Sequence, residues 1–82
     1  MTPAEIQTRV VSLVAEVCGI ESQTLVLDAP LLRYGLDSVR AVDLLIAIED
    51  GVGVAIPTED AELSRVRTAA DLVALVQRRA LA

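Results

Sequence analysis

Apolar residues recur at spacings of three and four in the N-terminal part of the chain, which predicts an amphipathic helix there. The stripe consists of Ile6, Val10, Leu13, Val14 and Val17. Residues Thr2 to Glu5 form a capping box with proline at the first helical position, where its missing N–H costs no hydrogen bond. Gly19 can end the helix in a left-handed conformation. We expect Cys18 to be a buried hydrophobic side chain, because no basic neighbour activates its thiol.

A long connection follows at residues 20–37. Five apolar residues are expected to pin it to the rest of the fold: Ile20, Leu25, Leu27, Leu31 and Leu36. The residues Asp28 to Pro30 favour a turn. A strand is possible at Thr24 to Leu27, but no nearby segment offers a pairing partner. We therefore predict a loop, and loops of this length in small domains are often functional.

An apolar stretch without helix breakers predicts a second helix from about Ser38 to Asp50, ended by Gly51 and Gly53. A short third helix of one or two turns is expected between Glu59 and Ser64.

A capping-box-like start at Thr68 and Asp71 opens the last helix, which places Arg78 and Arg79 at its negative end. Its inward-facing residues are predicted to be Leu72, Val73, Leu75 and Val76. The prediction is an all-α fold, a small four-helix bundle with three long helices and one short third helix, in a single domain spanning residues 1–82.

The second helix carries two apolar stripes on nearly opposite sides. One stripe consists of Ala41, Leu44, Leu45 and Ile48; the other consists of Val39, Val42 and Ile46, with Asp43 and Asp50 beside it. A small bundle cannot bury both faces, and carboxylates are rarely buried without partners. We expect the first stripe in the core and the second on a partner-binding surface. The alternative is that both are buried, one of them under the long loop.

Composition narrows the classes of function. Among the 82 residues, 54% are hydrophobic, Tyr34 is the single aromatic residue and the net charge is −5. Few aromatic rings and an acidic balance argue against nucleic-acid binding, and the acidic surface favours basic protein partners. One cysteine and no histidine exclude an internal disulfide and a Cys/His zinc site. Without a signal peptide or an apolar run long enough for a membrane span, we expect a soluble, cytoplasmic monomer.

Ser38 is the main candidate for chemistry. It follows Asp37, a helix-capping residue, at the start of the second helix, where unpaired backbone N–H groups and the helix dipole favour an anion. The residue types that activate a serine nucleophile, histidine and lysine, are absent, so a catalytic role is not expected. The position is instead suited to a serine that another enzyme phosphorylates or esterifies. The alternative is a simple helix cap.

The residues Tyr34-Gly35-Leu36-Asp37-Ser38-Val39 resemble the 4′-phosphopantetheine attachment motif of acyl carrier proteins, and the order of helices resembles that family along the whole chain. The resemblance implies that a phosphopantetheinyl transferase attaches 4′-phosphopantetheine covalently to Ser38. It implies that Asp37 helps this transferase to place its metal and coenzyme A. The implied partner-binding residues are Val39, Arg40, Val42, Asp43, Ile46 and Asp50.

By the same resemblance, the arm carries an acyl group as a thioester between acyl-activating enzymes, ketosynthases, acyltransferases or condensation enzymes. The pathway is expected to be polyketide, fatty-acid or lipid, or nonribosomal peptide synthesis. The small side chains of Ala41 and Ala47 could leave room for cargo inside the bundle.

Arg40 departs from the family, since many fatty-acid carriers have an acidic residue two positions after the serine. The stretch Tyr34 to Arg40 is also similar to aryl carrier domains of nonribosomal assembly lines. Two alternatives therefore stay open: an aryl or aminoacyl carrier domain, free-standing or excised from a longer enzyme, and a carrier-like interaction domain without cargo.

Overall fold

Three α-helices build the fold in the computed structural model, which describes all residues from Met1 to Ala82. Helix α1 spans Pro3–Cys18, α2 spans Ser38–Val52 and α3 spans Ala69–Leu81. Short 3₁₀-helices occur at Ser22–Thr24, Leu31–Tyr34 and Leu63–Arg65. There is no β-strand, only one isolated bridge between Pro30 and Thr68. The all-α prediction is confirmed, and none of the helices has the length and hydrophobicity needed to cross a membrane.

The ends of α1 are those that the sequence predicts. The Glu5 amide donates to Thr2 Oγ1 at 3.1 Å, and the Thr2 amide donates to Glu5 Oε1 at 2.9 Å. The hydrogen bond that the Thr2 amide donates lowers the pKa of the Glu5 carboxyl. Gly19 ends the helix with φ = 71°, in the left-handed region that glycine adopts readily.

The core forms where α1 packs against both α2 and α3. Its largest fully buried side chains are Ile6, Ile48, Leu72, Leu75, Val10, Val14 and Val76. Burial of one such side chain is worth about 1.5–3 kcal/mol, so this cluster supplies most of the driving force for folding. Cys18 lies at its edge, where loss of hydration raises the pKa of the thiol. The predicted burial of Cys18 is confirmed.

Helix α2 extends further than predicted, because Gly51 lies inside it and only Gly53 ends it, with φ = 80°. The Gly51 carbonyl accepts a hydrogen bond from Arg9 Nη1 at 3.0 Å. A Cβ on Gly51 would lie 3.2 Å from Leu13 Cδ1, so the glycine serves close helix packing rather than helix termination.

The connection between α1 and α2 is a loop with two 3₁₀-helices, as the absence of a pairing partner for Thr24–Leu27 predicted. Leu25 and Leu31 are buried in the core. The other three predicted pinning residues are half-buried against it: Ile20, Leu27 and Leu36. Hydrophobic contacts therefore hold the loop that leads to Ser38.

The short third helix is not present as an α-helix, and the four-helix bundle is therefore not confirmed. Between Glu59 and Ser64 the chain forms turns that lead into the 3₁₀-helix Leu63–Arg65. The Asp60 carboxylate accepts the amides of Glu62 and Leu63, as a helix N-cap does, and the Ser64 amide donates to the Asp60 carbonyl at 3.3 Å, but the chain then continues only as one 3₁₀ turn. So short a helix is also costly to nucleate.

Helix α3 begins at the predicted capping box, where Thr68 Oγ1 accepts the Asp71 amide at 3.1 Å. All four residues predicted to face inward are buried: Leu72, Val73, Leu75 and Val76. Gln77 Nε2 donates to the Pro3 carbonyl at 2.9 Å and ties α3 to the start of α1.

Candidate functional site

Ser38 is the first residue of α2 and is exposed to solvent. Asp37 precedes it as the N-cap, and its Oδ1 accepts the Arg40 amide at 2.9 Å. The Asp37 carbonyl accepts the Ala41 amide at 2.9 Å, which closes the first helical turn. The hydroxyl is therefore displayed at a helix start whose geometry is fixed by the preceding residue.

Two backbone N–H groups at this helix start, those of Ser38 and Val39, have no acceptor within the chain. Unpaired N–H groups and the positive end of the helix dipole both stabilise an anion. A phosphate ester on the Ser38 hydroxyl would lie beside these donors. The residues present therefore fit a phosphate-linked group.

The approach to Ser38 depends on Gly35, which has φ = 82° and ends the 3₁₀-helix Leu31–Tyr34. Its carbonyl accepts the Asp37 amide at 2.9 Å. The guanidinium of Arg40 folds back over this glycine, since a Cβ there would lie 3.3 Å from Arg40 Nη1. Residue 35 therefore has to adopt a left-handed conformation for the chain to reach the start of α2 in this way, which favours glycine.

The two stripes of α2 have different surroundings. Leu44, Leu45 and Ile48 are buried, and Ala41 is half-buried. On the other side Val39 is 71% exposed, Val42 is 42% exposed and Ile46 is 55% exposed. Asp43 and Asp50 are exposed beside them. The expectation that only one stripe enters the core is confirmed, and the alternative that both are buried is wrong.

A shallow groove runs beside this exposed stripe, with a volume of about 260 Å³. Val42, Ile46 and Glu49 form its α2 side, and Ala55 and Pro57 belong to its other side. Glu49, Ala55 and Pro57 are not among the partner-binding residues predicted from the sequence. The spacing of Glu49 from Val42, seven residues or two helical turns, places both on one side of α2 and could have identified it.

A second, apolar cavity of about 360 Å³ lies on the other side of α2. Ala41, one turn after Ser38, lines it together with Leu32, Leu36, Leu63 and Val66. Of the two alanines expected to leave room, Ala41 is part of the lining and Ala47 is not. Leu32 was not predicted to have a role; it is 76% exposed, and nothing in the sequence pattern of its loop marks it as a cavity residue.

The charged side chains do not form a metal site. No group of three or more His, Cys, Asp or Glu side chains lies close enough together to hold a metal ion. The ion pairs are confined to one place, where Arg78 and Arg79 meet Asp60 and Glu62. Arg40 forms no ion pair with Asp43, although the two are one turn apart.

Comparison with known proteins agrees with this geometry. The family described as the phosphopantetheine attachment site matches residues 8–76. The acyl carrier protein of Akkermansia muciniphila is 30% identical over 79 residues, which cover 95% of this chain and 96% of that protein. The acyl carrier protein of Rhodococcus erythropolis is 35% identical over 78 residues, which cover 94% of this chain and 84% of that protein.

The chain is therefore a member of the phosphopantetheine-binding family that includes the acyl carrier proteins. The prosthetic group of this family is 4′-phosphopantetheine. Its members are non-catalytic carriers rather than enzymes, and the same holds for this chain.

Proposed function

We propose that this protein carries acyl groups as thioesters on a 4′-phosphopantetheine arm attached to Ser38, and delivers them to partner enzymes. The observation that carries the proposal is the exposed Ser38 hydroxyl at the start of α2, next to two unpaired N–H groups. A phosphodiester there gains hydrogen bonds that water would otherwise supply. The flexible arm raises the effective concentration of its cargo at each partner's site.

Attachment of the arm requires a phosphopantetheinyl transferase and coenzyme A. Ser38 Oγ forms a bond to the phosphorus that bears the pantetheine, the pyrophosphate bond of coenzyme A breaks, and the nucleotide leaves. The hydroxyl proton passes to a base of the transferase, because this chain has no histidine or lysine. Asp37 uses Oδ1 to cap α2, which leaves its second oxygen for the metal ion of the transferase.

Partner enzymes bind the exposed face of α2 in this proposal. The face consists of Val39, Arg40, Val42, Asp43, Ile46 and Asp50, the residues predicted from the sequence. Apolar residues surrounded by charges are typical of the centre and rim of a protein interface. The groove beside Val42 and Ile46 can accept an apolar side chain of the partner. Transferase and cargo-processing enzymes would share this face, so they bind one at a time.

The apolar cavity beside Ala41 shelters the acyl chain in this account. Nine of its eleven lining residues are hydrophobic, and Ala41 lies one helical turn from Ser38. An aliphatic cargo is favoured there because it leaves water, whereas a charged cargo would lose hydration. The cargo enzymes are acyl-activating enzymes, ketosynthases, acyltransferases or condensation enzymes of a polyketide, fatty-acid or lipid, or nonribosomal pathway. We further propose that residues 1–82 act as one monomeric carrier domain in the cytoplasm.

The test is incubation of the purified chain with coenzyme A and a promiscuous phosphopantetheinyl transferase, followed by intact-protein mass spectrometry. We expect the wild type and Ser12→Ala to gain the mass of one phosphopantetheine. Ser12 is the matched control, since it is an exposed serine within α1. Ser38→Ala should gain nothing. An unmodified wild type, or a modified Ser38→Ala, removes the proposal.

A second candidate is a carrier-like domain that binds partners through the α2 face without cargo. The exposure of Val39 and Ile46 supports it as well as it supports a carrier. The two functions predict different effects of the same substitutions on activity in the cell. A cargo-free domain keeps its activity in Ser38→Ala and loses it in Val42→Asp, whereas a carrier loses it in both. The aryl or aminoacyl alternative differs only in cargo, which the mass of the loaded protein identifies.

A further inference from the structure

The apolar cavity has an outer wall that belongs to none of the three α-helices. Leu63 and Val66 form this wall, and both are half-buried. They lie in the segment of turns and 3₁₀-helix that replaces the predicted third helix. The opposite side of the cavity, with Ala41, Leu44 and Leu45, is part of α2. The width of the cavity therefore depends on where the segment from residue 60 to residue 67 is held.

This wall segment is fastened by polar contacts at its two ends. At its C-terminal end the Leu31 amide donates to the Arg67 carbonyl at 2.8 Å. At its N-terminal end Arg79 Nη2, on α3, lies 3.0 Å from Asp60 Oδ2 and 3.1 Å from Asp60 Oδ1. Between the two ends, hydrophobic packing of Leu63 and Val66 holds the wall against the core.

The Asp60 carboxylate connects the N-terminal fastening to the wall itself. Its Oδ1 also accepts the amides of Glu62 at 2.9 Å and Leu63 at 3.3 Å, so it positions the turn that carries the wall. The contact is more sheltered than the neighbouring ion pair, because the Asp60 side chain is 16% exposed and that of Glu62 is 48% exposed. Arg79 contacts both carboxylates, whereas Arg78 contacts only Glu62.

We propose that the contact between Asp60 and Arg79 sets the width of the cavity, and that these two residues determine the size of the acyl chain it accepts. Without the contact, Asp60 no longer holds the turn that carries the wall; the hydrogen bond at the Arg67 carbonyl and the more exposed Arg78–Glu62 ion pair remain, and Leu63 and Val66 can move away from α2. The cavity could then open to longer or bulkier chains. The part of the proposal that concerns chain-length specificity rests on the proposed function, because it requires that the cargo enters this cavity. The mechanical part, that the contact holds the wall in place, concerns the unmodified protein.

Hydrogen exchange of the unmodified protein tests the mechanical part. In Arg79→Gln we expect the amides of residues 61–66 to exchange about two- to fivefold faster, the range expected for loss of a partly exposed ion pair. Arg78→Gln is the matched control: it removes one arginine from α3 and one contact to Glu62, and leaves Asp60 paired. Exchange in this control should match the wild type. Equal exchange in Arg79→Gln and Arg78→Gln overturns the proposal.

The specificity part is tested by loading Ser38 from acyl-coenzyme A with saturated chains of increasing length, and measuring Tm for each product. In the wild type, Tm should rise with chain length until the cavity is filled and then level off. In Arg79→Gln, the chain length at which Tm stops rising should be greater than in the wild type. In Arg78→Gln, this chain length should be the same as in the wild type. An unchanged profile in Arg79→Gln overturns the assignment of specificity even if exchange is faster.

The two proposals fail in different ways. If Ser38 is not loaded at all, the carrier function fails in the mass spectrum while hydrogen exchange still reports on the wall. If loading succeeds but Tm does not depend on chain length in the wild type, the cargo does not enter the cavity and the specificity assignment is wrong.

Discussion

The hydroxyl of Tyr34 accepts a hydrogen bond from the backbone N–H of Val26 at 2.9 Å. This contact joins the middle of the long loop to the last residue before Gly35. The single aromatic residue of the chain is therefore used to hold the segment that leads to Ser38. Its ring is half-buried against the core, so the hydroxyl and the ring restrain the loop together.

We expect Tyr34→Phe to keep the packing of the ring and to leave the Val26 amide without its acceptor. The loss of one such hydrogen bond costs about 1 kcal/mol of the free energy of unfolding. Urea denaturation measures this loss, and hydrogen exchange at Val26 localises it. Unchanged exchange at Val26 would show that the hydrogen bond does not restrain the loop.

Gly35→Ala should destabilise the protein for two separable reasons. A left-handed alanine costs about 1–2 kcal/mol, and its Cβ would also press on Arg40 Nη1 at 3.3 Å. Gly53→Ala is the control, because it has a similar φ of 80° but no atom within 4 Å of its Cβ position. Urea denaturation should therefore show a larger loss for Gly35→Ala than for Gly53→Ala. Equal losses of stability would mean that the contact between the new Cβ and Arg40 adds nothing to the cost of the left-handed conformation.

The stability should fall as the pH is lowered. Hydrogen bonds from Arg79 lower the pKa of the Asp60 and Glu62 carboxyls, and backbone N–H groups lower the pKa of Asp71. A carboxyl whose pKa is lower in the folded state stabilises the fold when ionised. This contribution is complete above the ordinary pKa of these groups and is lost as the pH falls through the lowered values.

Arg79→Gln should reduce this dependence on pH, because the pKa values of Asp60 and Glu62 then return towards their ordinary values. Urea denaturation at a series of pH values from neutral to strongly acidic measures the slope. Arg65→Gln serves as the control, since Arg65 is exposed and forms no ion pair. The account is contradicted if the two variants show the same slope.

Ile46→Asp should impair binding to partner enzymes without unfolding the protein. Ile46 is 55% exposed on the α2 face, and exposed substitutions change the free energy of unfolding by about 0.5 kcal/mol or less. An apolar residue at the centre of an interface can be worth a factor of about ten or more in binding. We expect such a loss in kcat/KM of the phosphopantetheinyl transferase with this variant.

The control for Ile46→Asp is Val26→Asp. Val26 has nearly the same exposure, 54%, but it lies in the loop between α1 and α2 and does not line the groove beside Val42 and Ile46. It should remain as good a substrate of the transferase as the wild type. A similar loss in both variants would mean that the α2 face is not the docking surface.

Much of the fold follows from local sequence signals. The capping boxes at Thr2 and Thr68 identify where α1 and α3 begin, because both are short-range hydrogen-bond patterns. The two-faced character of α2 follows from helical periodicity alone. The role of Gly51 could not be predicted, since its close contact with Leu13 is a matter of tertiary packing.

The short third helix is not confirmed, for a related reason. Asp60 caps a helix-like turn, but that turn ends in the 3₁₀-helix Leu63–Arg65. The same carboxylate binds Arg79, nineteen residues away, a tertiary contact that local sequence signals do not show. The position of Ser38 at the helix start was predictable, because Asp37 is a strong capping residue. The apolar cavity could not be predicted, because the loop, α2 and the wall segment come together only in the folded chain.

The most direct measurement of the central claim is a fragment-ion mass spectrum of the protein after incubation with coenzyme A and a phosphopantetheinyl transferase. The account predicts that one phosphopantetheine is added and that every fragment carrying the added mass contains Ser38. An added mass that maps to another serine, or its complete absence from a folded protein, would contradict the account.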